Sequence, residues 1–354
     1  MAGFSGSYDA ADVTFLLKPI ALAPTDTETK ERLIQSGARH YSEMLSVETP
    51  PDDVYMALYH SALERNGARL GRDIASLAAA IGSAVPGEIV IVSLVRAGTP
   101  IGILLTRALM RAGRAATHYS VSIIRDRGID RQALAYIAAR HDPASIIFVD
   151  GWTGKGAIAR ELRASLASEP HGIKPCLAVI ADPAGVADFA ATHDDYLIAS
   201  GLLNSIVSGL VSRSILNADH VGEGDFHACV YYDQFAPLDQ SRAFVDTVDG
   251  LAMAAEPQPL AGEGAAVQAA CRALVIDIMA ASGVHDRNRI KPGIAEATRA
   301  VVRRVPHSLW LHDAADPDVE HLCHLSRTKG IAILPLPAGN HFRAVAVIKS
   351  LGSE

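Results

Sequence analysis

Seven residues, Asp150-Gly151-Trp152-Thr153-Gly154-Lys155-Gly156, close an apolar run that begins at Ile146 and lead into a helical pattern from Ala157 to Ala167. An acid at a strand end, then a glycine-rich turn and a helix start, can cradle a phosphate. The glycines let backbone N–H groups come close to an anion, and the helix N-terminus adds free donors and the positive end of its dipole. Asp150 could accept from ribose hydroxyls, with Gly151, Thr153, Gly154, Lys155 and Gly156 around the phosphate. The spacing is not the G-x-x-x-x-G-K-[ST] of a P-loop, and taken alone the segment also reads as an ordinary tight turn.

A second loop has the same grammar. Ile89 to Leu94 reads as a buried strand, followed by Val95-Arg96-Ala97-Gly98-Thr99-Pro100 and an amphipathic helix ending near Arg111. The planar fork of Arg96 suits a diphosphate, with Ala97, Gly98 and Thr99 beside it. Arg96 and Asp150 face one crevice if their strands are parallel members of one sheet. Third, a strand over His118 to Ile124 runs into Arg125-Asp126-Arg127-Gly128, either a mobile anion-closing loop or a solvated charge run. Asp182 ends the apolar run from Cys176, and Asn204, Ser205 and Ser208 follow a strand-like Asp195 to Ser200. These residues would line an acceptor pocket or cap helices.

Strands alternate with helices from Ile89 to Ser200, which predicts a doubly wound α/β fold with a parallel sheet. At 354 residues and 49% apolar content the chain exceeds one ordinary core. The aperiodic stretch from Ala254 to Gly264, with two prolines and two glycines, divides it into residues 1–254, a linker at 255–264 and a module at 265–354. From Ala265 onward the charge is +3, so the part before it carries −10 of the net −7. A basic module on an acidic body suggests a polyanionic partner. Within the module a helix starts after Gly293 and carries Glu296 and Arg299 on one face. Strands are expected at Ser308 to Leu311, Ile331 to Leu334 and Ala344 to Ile348, with a helix over Val319 to Thr328.

No apolar run reaches the roughly 18 residues that span a bilayer, and the first residues lack a basic-then-apolar signal, so a cytoplasmic protein with no membrane partner is expected. Cys176, Cys229, Cys271 and Cys323 are scattered as reduced thiols are, and no spacing argues for a bound zinc. His227 and Cys229 would share one face of a strand. A peptidase pair needs an orienting third group or a helix N-terminus to lower the thiol pKa, and neither is evident, so a structural cysteine is the reading.

Asp150 with Thr153-Gly154 resembles the phosphoribosyl-diphosphate motif of type I phosphoribosyltransferases, and Arg96-Ala97-Gly98 resembles the diphosphate loop of the uracil enzymes. The motif here has one acid where that family has two adjacent ones, and a shorter spacer. A wider resemblance runs through Gly6 to Asp9, Asp12 to Pro19, His40 to Leu45, Ile123 to Asp130 and Gly201 to Arg213. These segments are similar to the phosphoribosyltransferase-like proteins of bacterial tellurite-resistance and stress gene clusters, a family also labelled cysteine protease StiP. Gly293-x-x-Glu296-x-Thr298-Arg299-Ala300-Val301 resembles the G-x-N-E-x-T-K-A-V element of the L7Ae and Pelota RNA-binding fold, with Ala295 where that element has asparagine.

The resemblances imply a type I phosphoribosyltransferase-like domain and a smaller L7Ae/Pelota-like domain. Phosphoribosyl diphosphate with its Mg²⁺ would react through an oxocarbenium-like state. Asp150, Arg96, Arg125 and Arg127 would serve catalysis and closure, and the acceptor would be an unidentified base-like or RNA-derived molecule. A free helix start near Gly293, with Lys291, Glu296, Arg299, Arg303 and Arg304, would meet structured RNA. A non-catalytic nucleotide or RNA binder and a cysteine peptidase are the alternatives, and a homodimer is left open.

Overall fold

The structure, a computed structural model, describes residues 3–337 and 339–350. From the N-terminus, β1 (Thr14–Leu16) and β2 (Lys18–Pro19) precede α1 (Thr27–Gln35) and the 32-residue α2 (Asp53–Ala84). Then come β3 (Ile89–Leu94), α3 (Gly98–Arg111), β4 (Ala116–Val121), the short β5 (Ile123–Ile124) and β6 (Gly128–Ile129), and α4 (Arg131–Ala138). β7 (Ile146–Trp152), α5 (Ala157–Leu166), β8 (Leu177–Ala181), β9 (Phe189–Thr192), β10 (Ala228–Cys229) and α6 (Ser241–Met253) follow. After α7 (Ala265–Ser282) the chain forms β11 (Ile290–Pro292), α8 (Ile294–Arg303), β12 (Pro306–Leu311), α9 (Glu320–Lys329), β13 (Ala332–Pro335) and β14 (Ala344–Ile348).

Six strands make one all-parallel sheet in the order β1-β4-β3-β7-β8-β9. Both faces are covered, so its central strands are continuous apolar runs whose alternate residues enter different cores. Ile89, Ile91, Ile147, Val149 and Ile180 pack with α2, α3 and α6, whereas Val90, Val92, Ile146, Phe148 and Val179 pack with α4, α5 and α7. The chain leaves β3 toward β4 on one side and later returns to place β7 on the other. β3 and β7 are thus neighbours at the switch point, where a crevice opens beyond the strands' carboxyl ends. The parallel arrangement expected from the two loops is present.

The second sheet is mixed, in the order β11-β14-β12-β13. Its core is continuous with the first: Ile294, Ala297, Val301, Leu309 and Leu322 belong to the same cluster as Leu197, Ile198 and Leu202. The stretch between the sheets has no regular structure, but it is strapped down. Gln258 donates its amide to the Ser76 hydroxyl at 2.8 Å and Ala261 to the Ala190 carbonyl at 3.0 Å. By length and composition alone α7 is apolar enough to cross a membrane, and it buries Cys271, Leu274, Val275 and Ile278 along one side.

Two expected strands differ. His118 to Ile124 breaks at Ser122, and β5 with β6 forms a small antiparallel hairpin whose tip is Arg125 to Arg127. That tip is pinned where Arg125 donates its amide to the Tyr41 hydroxyl and Asp126 donates its own to Glu161, both at 2.8 Å, so the expected free loop is a fastened hairpin. Asp195 to Ser200 is not a strand. Asp195 instead accepts from the Ile294 amide, the first of α8, at 2.9 and 3.2 Å, and from the Arg343 amide at 2.9 Å. A carboxylate from the first sheet's side therefore caps the helix of the second, and the helix start expected to stay free is closed.

Asp195→Ala leaves two buried amides without an acceptor, which should cost about 2 kcal/mol. Urea unfolding followed by tryptophan fluorescence should show the lower midpoint, and an unchanged midpoint would refute the role of this cap.

Candidate functional site

A cavity of about 640 Å³ lies at the switch-point crevice, between the parallel sheet and the segment that carries α8. The turn after β3 brings Arg96 to it, the end of β7 brings Asp150 and Trp152, and the turn after β7 brings Thr153, Gly154, Lys155 and Gly156. Arg125 reaches it from the hairpin, and Lys291, Glu296, Arg299, Arg303 and Arg304 reach it from β11 and α8. The residues expected to hold a phosphorylated ribose and those expected to meet RNA thus line one space. Lys30, Tyr41, Glu48, Arg213 and Lys329 also line it. None of these five stands out in the sequence: Tyr41 and Arg213 lie in segments that carry the family resemblance but no phosphate or diphosphate pattern, and Lys30, Glu48 and Lys329 lie in no motif.

The two glycine turns have separate reasons for their glycines. A Cβ on Gly98 would lie 2.3 Å from the Val149 carbonyl, so the β3 turn can approach β7 only without one. Gly156 takes a left-handed φ of 71° as the residue before α5. A Cβ on Gly154 would meet Glu296 at 2.6 Å, which puts the phosphate turn directly beneath α8. Among the described residues nothing accepts from the amides of Gly154, Lys155 or Gly156. These donors and the α5 start remain available to an anion.

Charge is concentrated in two groups. Lys155 donates to the carbonyls of Arg287 and, at 2.9 Å, Ile290; burial first, then Lys291 and Arg125, pull its pKa down to about 7. Lys291 has no acceptor among the described residues, and burial lowers it to about 8. In the other group Arg96 is paired with Glu48 at 3.0 Å and donates to Asn204 Oδ1 at 3.1 Å, the oxygen that Arg303 also uses. Burial, then Arg96 and Arg299, push Arg303 well below its ordinary range. Burial lowers Arg213 to about 10, and burial followed by Arg213, Arg303 and Arg304 lowers Lys30 to about 6.

Few acids oppose these cations. Glu48 is held below the usual carboxylate range because Arg96, Arg303 and the two Ser205 donors outweigh its burial. Glu296 pairs with Arg299 at 3.1 Å, and that guanidinium lies 4.8 Å over the Trp152 ring. Asp150 is raised to about 6, chiefly by burial. One of its oxygens takes the Gly151 amide at 2.8 Å, and the other has no donor among the described residues.

Other expected site residues are committed to structural partners. The Asp182 carboxylate is buried, accepting from the Thr153 hydroxyl at 2.5 Å and the Ala187 amide at 2.8 Å. Thr99 bonds Ser120 at 2.8 Å, and Ser205 gives both donors to Glu48. Arg127 pairs with Glu43 at 3.3 Å on the surface. Ala97 borders a small adjoining recess, whereas Gly151 packs against Ala97 and Gly293 makes the turn into α8 at a φ of 94°. Asn204 lines the cavity and bridges Arg96 to Arg303.

The four thiols are elsewhere. Burial pushes Cys229 up to about 12 and Cys176 and Cys271 to about 11, and it raises Cys323 as well. His227, two residues from Cys229, shares a hydrogen bond between its Nδ1 and the Ser122 hydroxyl at 2.7 Å, and no cysteine bonds a histidine among the described residues.

Fold and site define an α/β protein with a cation-lined crevice, roofed by a second small α/β unit. Residues 6–249 match the family described as tellurite-like stress resistance cysteine protease StiP, and residues 269–350 match the PELOTA RNA binding domain. The cysteine protease StiP of Acinetobacter baylyi (strain ATCC 33305 / BD413 / ADP1) is 44% identical over 371 residues, covering 99% of this chain and 95% of that protein. The chain belongs to the StiP family and carries a Pelota-type domain at its C-terminus. Among solved structures it is similar to the hypoxanthine phosphoribosyltransferase of Trypanosoma cruzi, at 12% identity over 37% of this chain and 82% of that one, with a TM-score of 0.29. The complex of that enzyme with its product IMP gives 13% identity over 50% of this chain and 93% of that one, also at 0.29. Likeness at that level places neither a ligand nor an activity.

The lysines predict a pH dependence. Lys30, Lys155 and Lys291 have folded pKa values below the unfolded value of about 10.4, so the unfolded chain binds more protons and stability rises with pH. Without ligand the urea midpoint should climb between about pH 7 and 8.5. Lys30→Met and Lys155→Met should flatten that climb, and a level profile in the parent would count against the crowded-cation description.

Proposed function

We propose that the chain binds phosphoribosyl diphosphate in this cavity and transfers its phosphoribosyl group to a base-like or RNA-derived acceptor within a stress response. The observation that carries the reading is the two cation groups in one cavity with Asp150 at the strand end. A ligand with a phosphate at one end, a diphosphate at the other and a ribose diol between them matches that distribution. Gly154, Lys155 and Gly156, with the backbone of Thr153, would take the 5′-phosphate. Arg96 with the turn through Ala97 and Gly98 would take the diphosphate, Asp150 the ribose hydroxyls, and Arg125 the open side.

In the transfer the bond from C1 of the ribose to the diphosphate oxygen breaks. A bond from C1 to the acceptor nitrogen or oxygen forms, and the acceptor's proton leaves. Charge passes onto the departing diphosphate as the ribose turns cationic, so fixed guanidinium groups at that end and a carboxylate near the ring would stabilise both partners. Mg²⁺ would arrive with the diphosphate as part of the substrate. Such an ion is satisfied by phosphate oxygens, water and one or two carboxylates, and Asp150 has an oxygen to offer. No group of three or more His, Cys, Asp or Glu residues gathers as a resident metal site among the described residues.

The relative's name favours a peptidase, and that reading has its own test. If peptide hydrolysis is present, one of Cys176→Ser, Cys229→Ser, Cys271→Ser or Cys323→Ser should abolish it. The proposal expects none to change ligand binding. Calorimetric titration with phosphoribosyl diphosphate should give Mg²⁺-dependent binding. Arg96→Ala and Asp150→Asn should each weaken it about 10- to 100-fold, the size of a lost charge-assisted bond. Unchanged affinity in both variants would sink the assignment, and binding without any turnover would leave a non-catalytic receptor.

A further inference from the structure

The Pelota-type segment poses a question that its domain match does not answer: five charged residues at β11 and α8 face the other half of the chain across the cavity, although Arg272, Arg287 and Arg327 are exposed. α8 has Asp195 over its first amide, and Glu296 sits on Gly154 so closely that a Cβ there would lie 2.6 Å away. The face that would have to meet an RNA backbone is covered by the other half of the chain. What it does face is the cavity, through Lys291, Glu296, Arg299, Arg303 and Arg304.

Each cation group is built from both halves. Lys155 follows β7, and Lys291, on β11, has no acceptor of its own among the described residues. Two ammonium groups line one space with no carboxylate bonded to either; Glu296 is the acid that acts on both, and it is itself paired with Arg299, which leaves room for an added anion. In the second group Arg96 and Arg303 converge on a single neutral oxygen, Asn204 Oδ1, with Glu48 the acid bonded to Arg96. Arg96 is further held by the Val211 carbonyl at 3.3 Å, whereas Arg303 has no acceptor other than Asn204 among the described residues, so most of its N–H donors are left for something else.

We propose that the Pelota-type segment is the second half of the phosphorylated-ribose site, with Lys291 and Arg303 as ligand-binding residues, so that this segment recognises a small polyanion and not structured RNA. The proposal rests on the reading of the cavity given above and adds which residues complete it. The ligand then bridges the halves, and its binding tightens their docking.

The full chain should be titrated with phosphoribosyl diphosphate and Mg²⁺, and separately with inorganic diphosphate, in the parent, Arg96→Ala, Lys291→Met and Arg303→Met. Lys291→Gln serves as a second, polar replacement, and circular dichroism checks that each variant is folded. The expected result is a loss of about tenfold or more in affinity for each C-terminal variant, comparable with Arg96→Ala. A kinked-stem RNA should neither bind tightly nor displace the small ligand. Normal affinity in folded Lys291→Met, Lys291→Gln and Arg303→Met, alongside weakened Arg96→Ala, would overturn this inference and leave the first reading standing. Kinked RNA that binds the parent and is lost on Lys291→Met would overturn it in favour of RNA recognition. A parent that binds neither small ligand removes the cavity reading and this inference with it.

Discussion

Like charge held together without enough counter-charge is the constraint on which this site depends. Two unit charges about 4 Å apart repel by about 4 kcal/mol where the effective dielectric constant is near 20, so a fold gathers cations only by supporting them elsewhere. Here the support is mostly neutral. Arg213 donates to the carbonyls of Tyr41 and Met44, Lys155 to those of Arg287 and Ile290, and Lys329 to that of Val301 at 2.7 Å. Carbonyls orient a cation without cancelling its charge. Burial first, and then the neighbouring cations, lower Lys30, Lys155 and Lys291, and a polyanionic ligand of the kind proposed would offset that.

The roof must be held by something other than the site, since crowded cations alone would drive the halves apart. The continuous apolar core does this, and a set of acids adds to it. Asp194 pairs with Arg69 at 2.8 Å and Arg343 at 2.9 Å, and Asp318 with Arg65 at 3.2 Å and Arg343 at 3.1 Å. Asn66 joins Asp318 at 2.8 Å, and Asp195 closes the helix start. Nearer the cavity, Glu31 on α1 holds Arg304. These ion pairs and the apolar core shared by Leu197, Ile198, Ile294 and Val301 hold the halves together against the repulsion in the cavity.

Much of this was legible in the sequence because it depends on local grammar. Two apolar runs ending in glycine turns gave the parallel strands, and the positions of Arg96, Asp150 and Lys155 followed from those turns. The start of α8 after Gly293 and the strand Ala344–Ile348 were equally readable. What could not be read is everything that depends on how the halves meet. Nothing near Asp195 announces that it caps a helix 99 residues away, and its apolar neighbours Tyr196 to Ala199 imitate a strand while packing as irregular chain. Glu48 lies in a proline-rich stretch and is distinguished only by its partners Arg96 and Ser205. Asp182 looked like a ligand because acids at strand ends often are, whereas burial has committed it to the Thr153 hydroxyl.

The same distinction between chemistry and position bears on the family's protease name. A nucleophilic cysteine needs its thiolate favoured, by a cation, a helix N-terminus or an imidazole, in a place a substrate can reach. Cys271 comes nearest: its sulfur is 3.9 Å from the Gly154 carbonyl, and Lys155, Arg160 and Arg287 all act to lower its pKa. Burial still outweighs them and carries the thiol up to about 11, on the side of the phosphate turn away from the cavity. Of these three cations only Lys155 lines the cavity, where it lies with Lys291 and Arg125, whereas Arg160 donates to the Lys155 carbonyl at 2.9 Å. The arrangement of Lys155, Lys291 and Arg125 suits an anion held in that space better than a thiolate held beneath it.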